Sequence, residues 1–155
     1  MNLAKNLKID SVSRLHPTPP LQVSPSQTVA EAVELMRHEQ VGCLLVCEGD
    51  RVLGIFTERD LMKRVLAEGK PLTTPVAQCM TPNPIVVHPK EPIAAAVRHM
   101  ELGGYRHLPV VDEAGRPVGV LSVKRIVHYL VEHFPATVYN LPPDPDSVPN
   151  EREGA

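Results

Sequence analysis

The sequence contains no tryptophan and few other aromatic residues, with three tyrosines and two phenylalanines among 155 residues. Apolar residues still make up 43% of the chain, so a core can form, but it must be mainly aliphatic. The length suits one compact domain or two small halves that share a core.

An excess of charge of one sign and a long apolar run are also missing. The 16 basic and 18 acidic residues argue against the basic surface that a nucleic-acid polymer requires. No apolar stretch approaches the roughly 20 residues of a membrane span, and the first ten residues, MNLAKNLKID, lack the apolar segment of a secretory leader. We therefore expect a cytoplasmic protein that binds neither a nucleic-acid polymer nor a membrane.

Cysteine is scarce, and the three cysteines do not suggest a disulfide framework. Cys43 and Cys47 fall in one apolar run that predicts a strand, in which four residue steps separate them by about 13 Å on one face. This distance is too long for a disulfide bond. We expect buried thiols that pack as small apolar side chains.

The motifs of common enzyme and metal sites are missing as well. The seven histidines form no H-E-x-x-H pair and no zinc-type spacing with cysteine. The sequence has no G-x-S-x-G elbow and no G-x-x-x-x-G-K-[ST] phosphate loop. It therefore predicts neither a metal site nor an enzyme.

The chain does contain an internal repeat. The segment that starts at Leu21 is matched by a segment that starts at Ile85, 64 residues later. After one extra residue in a turn of the second copy, Gly54 matches Gly119. The earlier matched pairs include Val23 with Val87, Pro25 with Pro89, Ala30 with Ala94, Val33 with Val97, Met36 with Met100, Leu44 with Leu108 and Val46 with Val110.

Each copy predicts the element order βαββα. In the first copy a short strand over Leu21–Val23 precedes a helix, where Thr28 and Glu31 form the T-x-x-E pattern of a capping box. Two apolar strands follow, and a last helix is predicted from Thr57 towards Gly69.

The second copy repeats this order. A strand is predicted over Ile85–Val87, Pro92 suits the first position of the next helix, and a last helix runs from Ser122 towards His133. Neither copy alone has enough apolar surface for a stable core, so we expect the two units to share one.

These patterns divide the chain into five parts. The predicted parts are an N-terminal segment (1–14), a first repeat (15–70), a linker (71–80), a second repeat (81–134) and a C-terminal tail (135–155). The tail contains five prolines and few apolar residues, so we expect it to be extended or disordered.

The repeat and two motifs together resemble the cystathionine-β-synthase (CBS) domain family. The motif RHLPVVD spans Arg106 to Asp112, and Gly54, Thr57 and Asp60 match the pattern G-h-h-[ST]-x-x-D, in which h is apolar. The resemblance implies an α+β fold in which two βαββα units pack sheet to sheet around a pseudo-two-fold axis. It also implies a tandem pair, called a Bateman module, as a stand-alone protein of the bacterial type.

The resemblance further implies a regulatory function. Such pairs bind AMP, ADP or ATP, and in some members S-adenosylmethionine or NAD, and use the bound ligand to control a partner. For this chain the family implies an adenine nucleotide as ligand, an unidentified regulated protein as partner, and a homodimer that forms through helices.

The segment GIFTERD, from Gly54 to Asp60, has two interpretations. Thr57 is a preferred N-cap residue and Asp60 suits the first helical turn, so one interpretation is a helix start alone. In the CBS family, however, the corresponding Asp accepts hydrogen bonds from both ribose hydroxyls, and the Thr or Ser contacts the sugar or the phosphate. An ionised carboxylate has the acceptors that this requires, and the repeat favours a ribose site at Asp60.

The same resemblance implies the rest of a nucleotide site. The segment that enters the second repeat frames the adenine in the family, which here gives Thr81, Pro84 and Ile85. The start of the long strand supplies basic side chains to the phosphates, which here gives Arg106 and His107. Arginine suits this role because its planar group donates to two oxygens at once.

The second, pseudo-symmetric cleft departs from the family pattern. Arg125 follows Ser122 at the position where Asp is expected, and the phosphate positions are Gly42 and Cys43, neither of which is cationic. Because a guanidinium group has no acceptor, we expect that this cleft does not hold a nucleotide through its ribose.

Two functions therefore remain open. One is a regulatory module that senses an adenine nucleotide, which the complete set of residues around Asp60 favours. The other is a structural dimerisation module that has lost its ligand, which the degraded second cleft would suit.

Overall fold

A computed structural model of the protein describes residues 3–134. The predicted C-terminal tail, residues 135–155, lies outside the described residues. Among the helices of residues 3–134, none combines the length and the hydropathy that a membrane span requires.

The described chain begins with two short helical segments and the first repeat. These are α1 (Leu3–Ile9) and a 3-10 helix (Val12–Leu15), followed by β1 (Gln22–Val23), α2 (Val29–Glu39), β2 (Cys43–Glu48), β3 (Arg51–Thr57), α3 (Glu58–Asp60) and a π-helix (Leu61–Leu66).

A connection and the second repeat follow. They comprise a 3-10 helix (Val76–Gln78), β4 (Thr81–Pro82), α4 (Ile93–Gly103), β5 (His107–Val111), β6 (Pro117–Ser122) and α5 (Val123–His133). This order confirms the predicted α+β fold with two similar repeats.

The strands form two sheets of the same plan. In the first sheet the order is β1-β2-β3-β4, with β1 parallel to β2 and the other pairs antiparallel. In the second, β5 and β6 pair antiparallel, and single bridges join Val87 to Val110 in parallel and Thr18 to Val120 antiparallel. The segment that enters each repeat therefore hydrogen-bonds first to the sheet of the other repeat, which ties the two units together.

Each repeat has its own aliphatic core, so the single shared core expected from the sequence was wrong, and a third cluster lies between the sheets. Cys43, Leu45, Cys47 and Ile55 of the first sheet pack with Val120 of the second. This contact confirms the expected sheet-to-sheet packing. Cys43 and Cys47 are free and buried, as predicted, and Cys79 is also free and buried. Burial raises the pKa of the Cys43 thiol to about 12.

The N-terminal segment forms part of the second repeat's core. Val12 and Leu15 are almost fully buried in the cluster that contains Leu108 and Leu121. The hydroxyl of the buried Tyr129 in α5 donates a hydrogen bond to the Asp10 carboxylate. The chain that precedes the first repeat is therefore packed against the second.

Helix starts differ in detail from the sequence predictions. Thr28 caps α2 by accepting from the Glu31 amide at 3.1 Å. The Glu31 side chain does not complete the predicted capping box, since its carboxylate accepts from the Gln27 side chain instead. Pro92 is the N-cap of α4, with an extended ψ of 146°, so the helix begins one residue later than predicted, at Ile93.

Two further elements also differ from their predictions. The strand predicted over Ile85–Val87 is reduced to the single bridge of Val87. In the first repeat Leu45 donates its N–H to the Leu21 carbonyl, but its counterpart Pro109 has no N–H to donate to Ile85. The helix predicted from Thr57 is α-helical for only three residues, Glu58–Asp60, and continues as the π-helix Leu61–Leu66.

Candidate functional site

A cavity of about 630 Å³ lies where the two repeats meet. Its wall combines the end of β3, α3 and the π-helix from the first repeat with the residues that lead into β5 from the second. The lining residues are Gly42, Ile55, Thr57, Glu58, Arg59, Asp60, Met62, Lys63, Arg64, Thr81, Gly103, Gly104, Tyr105, Arg106 and His107.

Asp60 is the buried acidic residue of this cavity, with only 4% of its surface exposed. Its Oδ2 accepts from the Thr57 amide at 2.9 Å and from the Thr57 hydroxyl at 3.1 Å. The Asp60 amide in turn donates to the Thr57 hydroxyl oxygen at 3.3 Å, which completes a capping box. The helix-start interpretation of GIFTERD is therefore correct for Thr57 and for one oxygen of Asp60.

The other oxygen of Asp60 faces donors from two further residues. The Thr81 hydroxyl donates to Oδ1 at 2.9 Å, and the Arg64 Nε lies 3.4 Å from the same atom. A carboxylate has about four lone-pair positions. The amide and hydroxyl of Thr57 and the hydroxyl of Thr81 occupy three of them, and Arg64 forms an ion pair beside Oδ1. Two further donors at Oδ1 would have to replace the Thr81 hydroxyl and move the Arg64 side chain aside.

Gly54 allows β4 to come close enough for the contact between Thr81 and Asp60. A Cβ atom at this position would lie 2.5 Å from the Met80 sulfur and 2.7 Å from the Thr81 carbonyl oxygen. The pairing of Gly54 with Pro82 and of Ile55 with Thr81 fixes that approach. The glycine of the motif is thus explained by close backbone packing beside the cavity.

Arg106 and His107 reach the same cavity from the second repeat. Arg106 is exposed and His107 is half-buried at the start of β5. Burial lowers the pKa of His107 below its ordinary value, Glu58 opposes this shift, and Lys124 and Arg106 add to it. The imidazole is therefore neutral near pH 7, and an arriving anion would favour its protonation.

The structure brings five of the seven predicted site residues to one cavity. Thr57, Asp60, Thr81, Arg106 and His107 all line it. Pro84 and Ile85 do not line this cavity, and 38% of the Ile85 surface is exposed. The ligand-binding roles of all seven remain predictions.

Several residues of the cavity wall were not predicted from the sequence. Arg64 follows Asp60 by four residues. This helical spacing places the two side chains on one face and could have predicted their contact. Tyr105 directly precedes Arg106, and no other feature of the sequence indicated that it lines the cavity. Its ring covers Gly103, where a Cβ atom would lie 2.0 Å from the ring. Gly42, which the sequence analysis assigned to the second cleft, also lines this cavity.

The second cleft has different chemistry at the matching positions. Thr18, which pairs with Val120 as Thr81 pairs with Ile55, directs its hydroxyl to the Val120 carbonyl at 3.2 Å. Within residues 3–134, the Ser122 side chain forms no capping hydrogen bond at the start of α5. Arg125 is half-buried where the first repeat has Asp60.

Metal ligands are not grouped in the described part of the chain. Across residues 3–134, no set of three or more His, Cys, Asp or Glu side chains is arranged to hold a metal ion.

The family model of the CBS domain matches the chain twice, over residues 12–67 and 76–132. The chain therefore belongs to the CBS-domain family, as a pair of CBS domains. A curated relative, the CBS domain-containing protein CBSCBSPB1 of Arabidopsis thaliana, is 38% identical over 112 residues, which are 72% of this chain. The match covers 21% of the plant protein, so the chain spans about a fifth of that relative's length.

Solved structures of CBS-domain pairs share this fold. The CBS domain protein PAE2072 from Pyrobaculum aerophilum, complexed with AMP, is 26% identical with a TM-score of 0.71, and the match covers 79% of this chain and 99% of that one. The CBS domain pair of protein MJ0100, in complex with methylthioadenosine and S-adenosyl-L-methionine, is 25% identical with a TM-score of 0.73, over 81% and 98% of the two chains.

Proposed function

We propose that the protein is a regulatory module that binds one adenine nucleotide (AMP, ADP or ATP) per chain in the cavity between its repeats. The observation that carries the proposal is the meeting of the buried Asp60 of one repeat with Arg106 and His107 of the other in one cavity. Homologous pairs of the same fold bind AMP or S-adenosylmethionine-related ligands, which supports an adenosine-containing ligand here.

The charge around the cavity favours a ligand with a phosphate group. Two carboxylates, Glu58 and Asp60, are outnumbered by four basic side chains, which belong to Arg59, Lys63, Arg64 and Arg106. Such a surface attracts anions and disfavours cations. Among the ligands that the family implies, this balance supports AMP, ADP or ATP over the cationic S-adenosylmethionine.

The ribose is proposed to bind at Oδ1 of Asp60. Oδ2 is committed to the capping box with Thr57, whereas Oδ1 accepts from the Thr81 hydroxyl and is ion-paired with the Arg64 side chain. A hydroxyl rotates freely and a partly exposed arginine moves readily, so both donors are exchangeable. Two ribose hydroxyls can take the two lone-pair positions that these groups leave.

Regulation is proposed to act through a partner or through assembly, rather than through a reaction catalysed in the cavity. A ligand held by residues of both repeats stabilises their present packing, because binding to one arrangement shifts the population towards it. The partner remains unidentified, and a homodimer formed through the last helices of the repeats is part of the proposal.

The variant Asp60→Asn tests the proposed site directly. It replaces one acceptor oxygen with a donor, so the ribose hydroxyls lose an acceptor while the side-chain size is kept. For wild type, AMP at 100 times its dissociation constant should add about 2.7 kcal/mol to the free energy of unfolding, and the variant should lose most of this gain.

The matched control is Arg125→Gln, at the same position of the second repeat, which should keep the full gain from AMP. Equal stabilisation of wild type and Asp60→Asn would refute a ribose site at Asp60. Absence of stabilisation by AMP, ADP and ATP in every chain would favour the structural dimerisation module.

A further inference from the structure

Arg64 is paired with the carboxylate that the proposed ligand needs. It follows Asp60 by one helical turn, and its Nε is 3.4 Å from Oδ1 of Asp60. Its Nη1 donates to the Met80 carbonyl oxygen at 2.8 Å. One guanidinium group thus bridges the buried carboxylate and the backbone directly before β4.

The chemistry of these contacts matches that of an adenosine ligand. A guanidinium group only donates hydrogen bonds, and ribose hydroxyls and an adenine amino group are also donors. The Asp60 carboxylate and the Met80 carbonyl, by contrast, only accept. Arg64 and the ribose of an adenosine ligand would therefore use the same carboxylate, that of Asp60.

We propose that Arg64 is an intramolecular competitor of the ligand, which must leave Asp60 before the ribose can bind and so sets the affinity of the site. This inference rests on the proposed function, because it concerns the same cavity. Removal of a phosphate-binding arginine weakens ligand binding. Removal of Arg64, as a competitor, should instead strengthen it.

The exposure of the two partners supports competition rather than a fixed structural pair. The Arg64 side chain is 44% exposed, whereas that of Asp60 is 6% exposed. Ion pairs that reach solvent are weak, and a single hydrogen bond to a carbonyl adds a similarly modest amount. The competitor is therefore strong enough to lower affinity by about three- to tenfold, yet weak enough to be displaced.

The position of Arg64 also connects the site to the chain that links the repeats. Arg64 belongs to the π-helix, and its partner Met80 immediately precedes Thr81 of β4. When a ligand displaces the guanidinium group, the hydrogen bond to Met80 breaks. The occupancy of the site is then communicated to the segment that enters the second repeat.

Calorimetric titration with adenosine tests the proposal, because adenosine has the ribose and the base but no phosphate. Arg64→Met keeps the aliphatic stem and removes the guanidinium group, and it should bind adenosine about three to ten times more tightly than wild type. Arg64→Gln should show the same direction of change, and either variant suffices if the other does not fold. The control Arg37→Met removes an arginine from the exposed pair with Glu34 on α2 and should leave the affinity for adenosine unchanged.

The outcomes separate this inference from the proposed function. If wild type binds adenosine or AMP and the Arg64 variants bind adenosine equally or less tightly, Arg64 is not a competitor, and only this inference fails. If neither wild type nor any variant binds adenosine or AMP, the proposed function fails and this inference fails with it.

Discussion

Asp60 has a structural and a proposed functional role that involve different oxygens of one carboxylate. Oδ2 holds the start of α3 through Thr57, and Oδ1 accepts from the exchangeable Thr81 hydroxyl and is ion-paired with Arg64. The two interpretations of GIFTERD are therefore compatible. Capping also fixes the orientation of the carboxylate, so a ligand need not order this side chain when it binds.

Gly54 provides a prediction at the same scale. Gly54→Ala places a Cβ atom 2.7 Å from the Thr81 carbonyl oxygen and 2.5 Å from the Met80 sulfur. Backbone cannot yield as a side-chain end does, so β3 and β4 must separate, and the free energy of unfolding should fall by about 1–3 kcal/mol. Denaturation by urea measures this loss.

The control for this change is Gly42→Ala. Its Cβ atom would meet only the side chain of Glu58, with the carboxylate oxygen at 3.0 Å, and this flexible group can move. The loss of stability at Gly42 should therefore be clearly smaller. Equal stability of Gly54→Ala and wild type would show that the pairing of β4 with β3 does not require a glycine at position 54.

The residues of the site were predictable where a local pattern marks them. Thr57 and Asp60 stand in one motif, and Arg106 and His107 precede a recognisable apolar strand. Arg64 was missed because many surface arginines share its helical spacing from an acidic residue. Its contact with the Met80 carbonyl depends on how β4 approaches the π-helix, and no sequence pattern specifies that.

At the scale of elements, the strands and long helices were predicted well because they combine apolar periodicity with clear stops. The π-helix was not distinguishable from an α-helix, since the four-residue spacing of Leu61 and Val65 suits either type. The contribution of Val12 to the second core was also unpredictable, because it depends on packing between distant parts of the chain. The single bridge at Val87 shows how a proline in the neighbouring strand, Pro109 of β5, shortens a strand that apolar content alone predicts.

The last helical segments of the two repeats carry exposed apolar side chains at matching positions. Met62 of the π-helix is 60% exposed and Val127 of α5 is 51% exposed, and they correspond to each other in the repeat. Leu66 and Val123 extend the same two faces, with 54% and 39% exposure. Exposed apolar faces of this kind are typical of interfaces, which supports the proposed homodimer.

The double variant Met62→Glu and Val127→Glu should therefore abolish dimer formation, because charges in an apolar interface lose hydration without gaining partners. Light scattering at micromolar concentration should give twice the 17.0 kDa of one chain for wild type and 17.0 kDa for the variant. Leu102→Glu, at an 80% exposed position of α4, is the control and should remain dimeric. A wild-type mass of 17.0 kDa would contradict the proposed assembly.

At the scale of the whole molecule, the two repeats are similar in fold but unequal in chemistry. The first provides a buried carboxylate at Asp60, and the second has Arg125 at the matching position. Thr81 donates to that carboxylate, whereas its counterpart Thr18 donates to a backbone carbonyl. The pseudo-symmetry of the fold therefore supports one proposed ribose site per chain, and not two.

The stoichiometry of AMP binding tests this central claim most directly. A buried ribose at Arg125 would leave hydroxyl donors without acceptors, at a cost of about 1–3 kcal/mol each, so the second cleft should not fill at concentrations that saturate the first. Isothermal titration calorimetry of the wild-type protein should give about one AMP per chain. A value of two per chain, or no binding at millimolar AMP, would contradict the account.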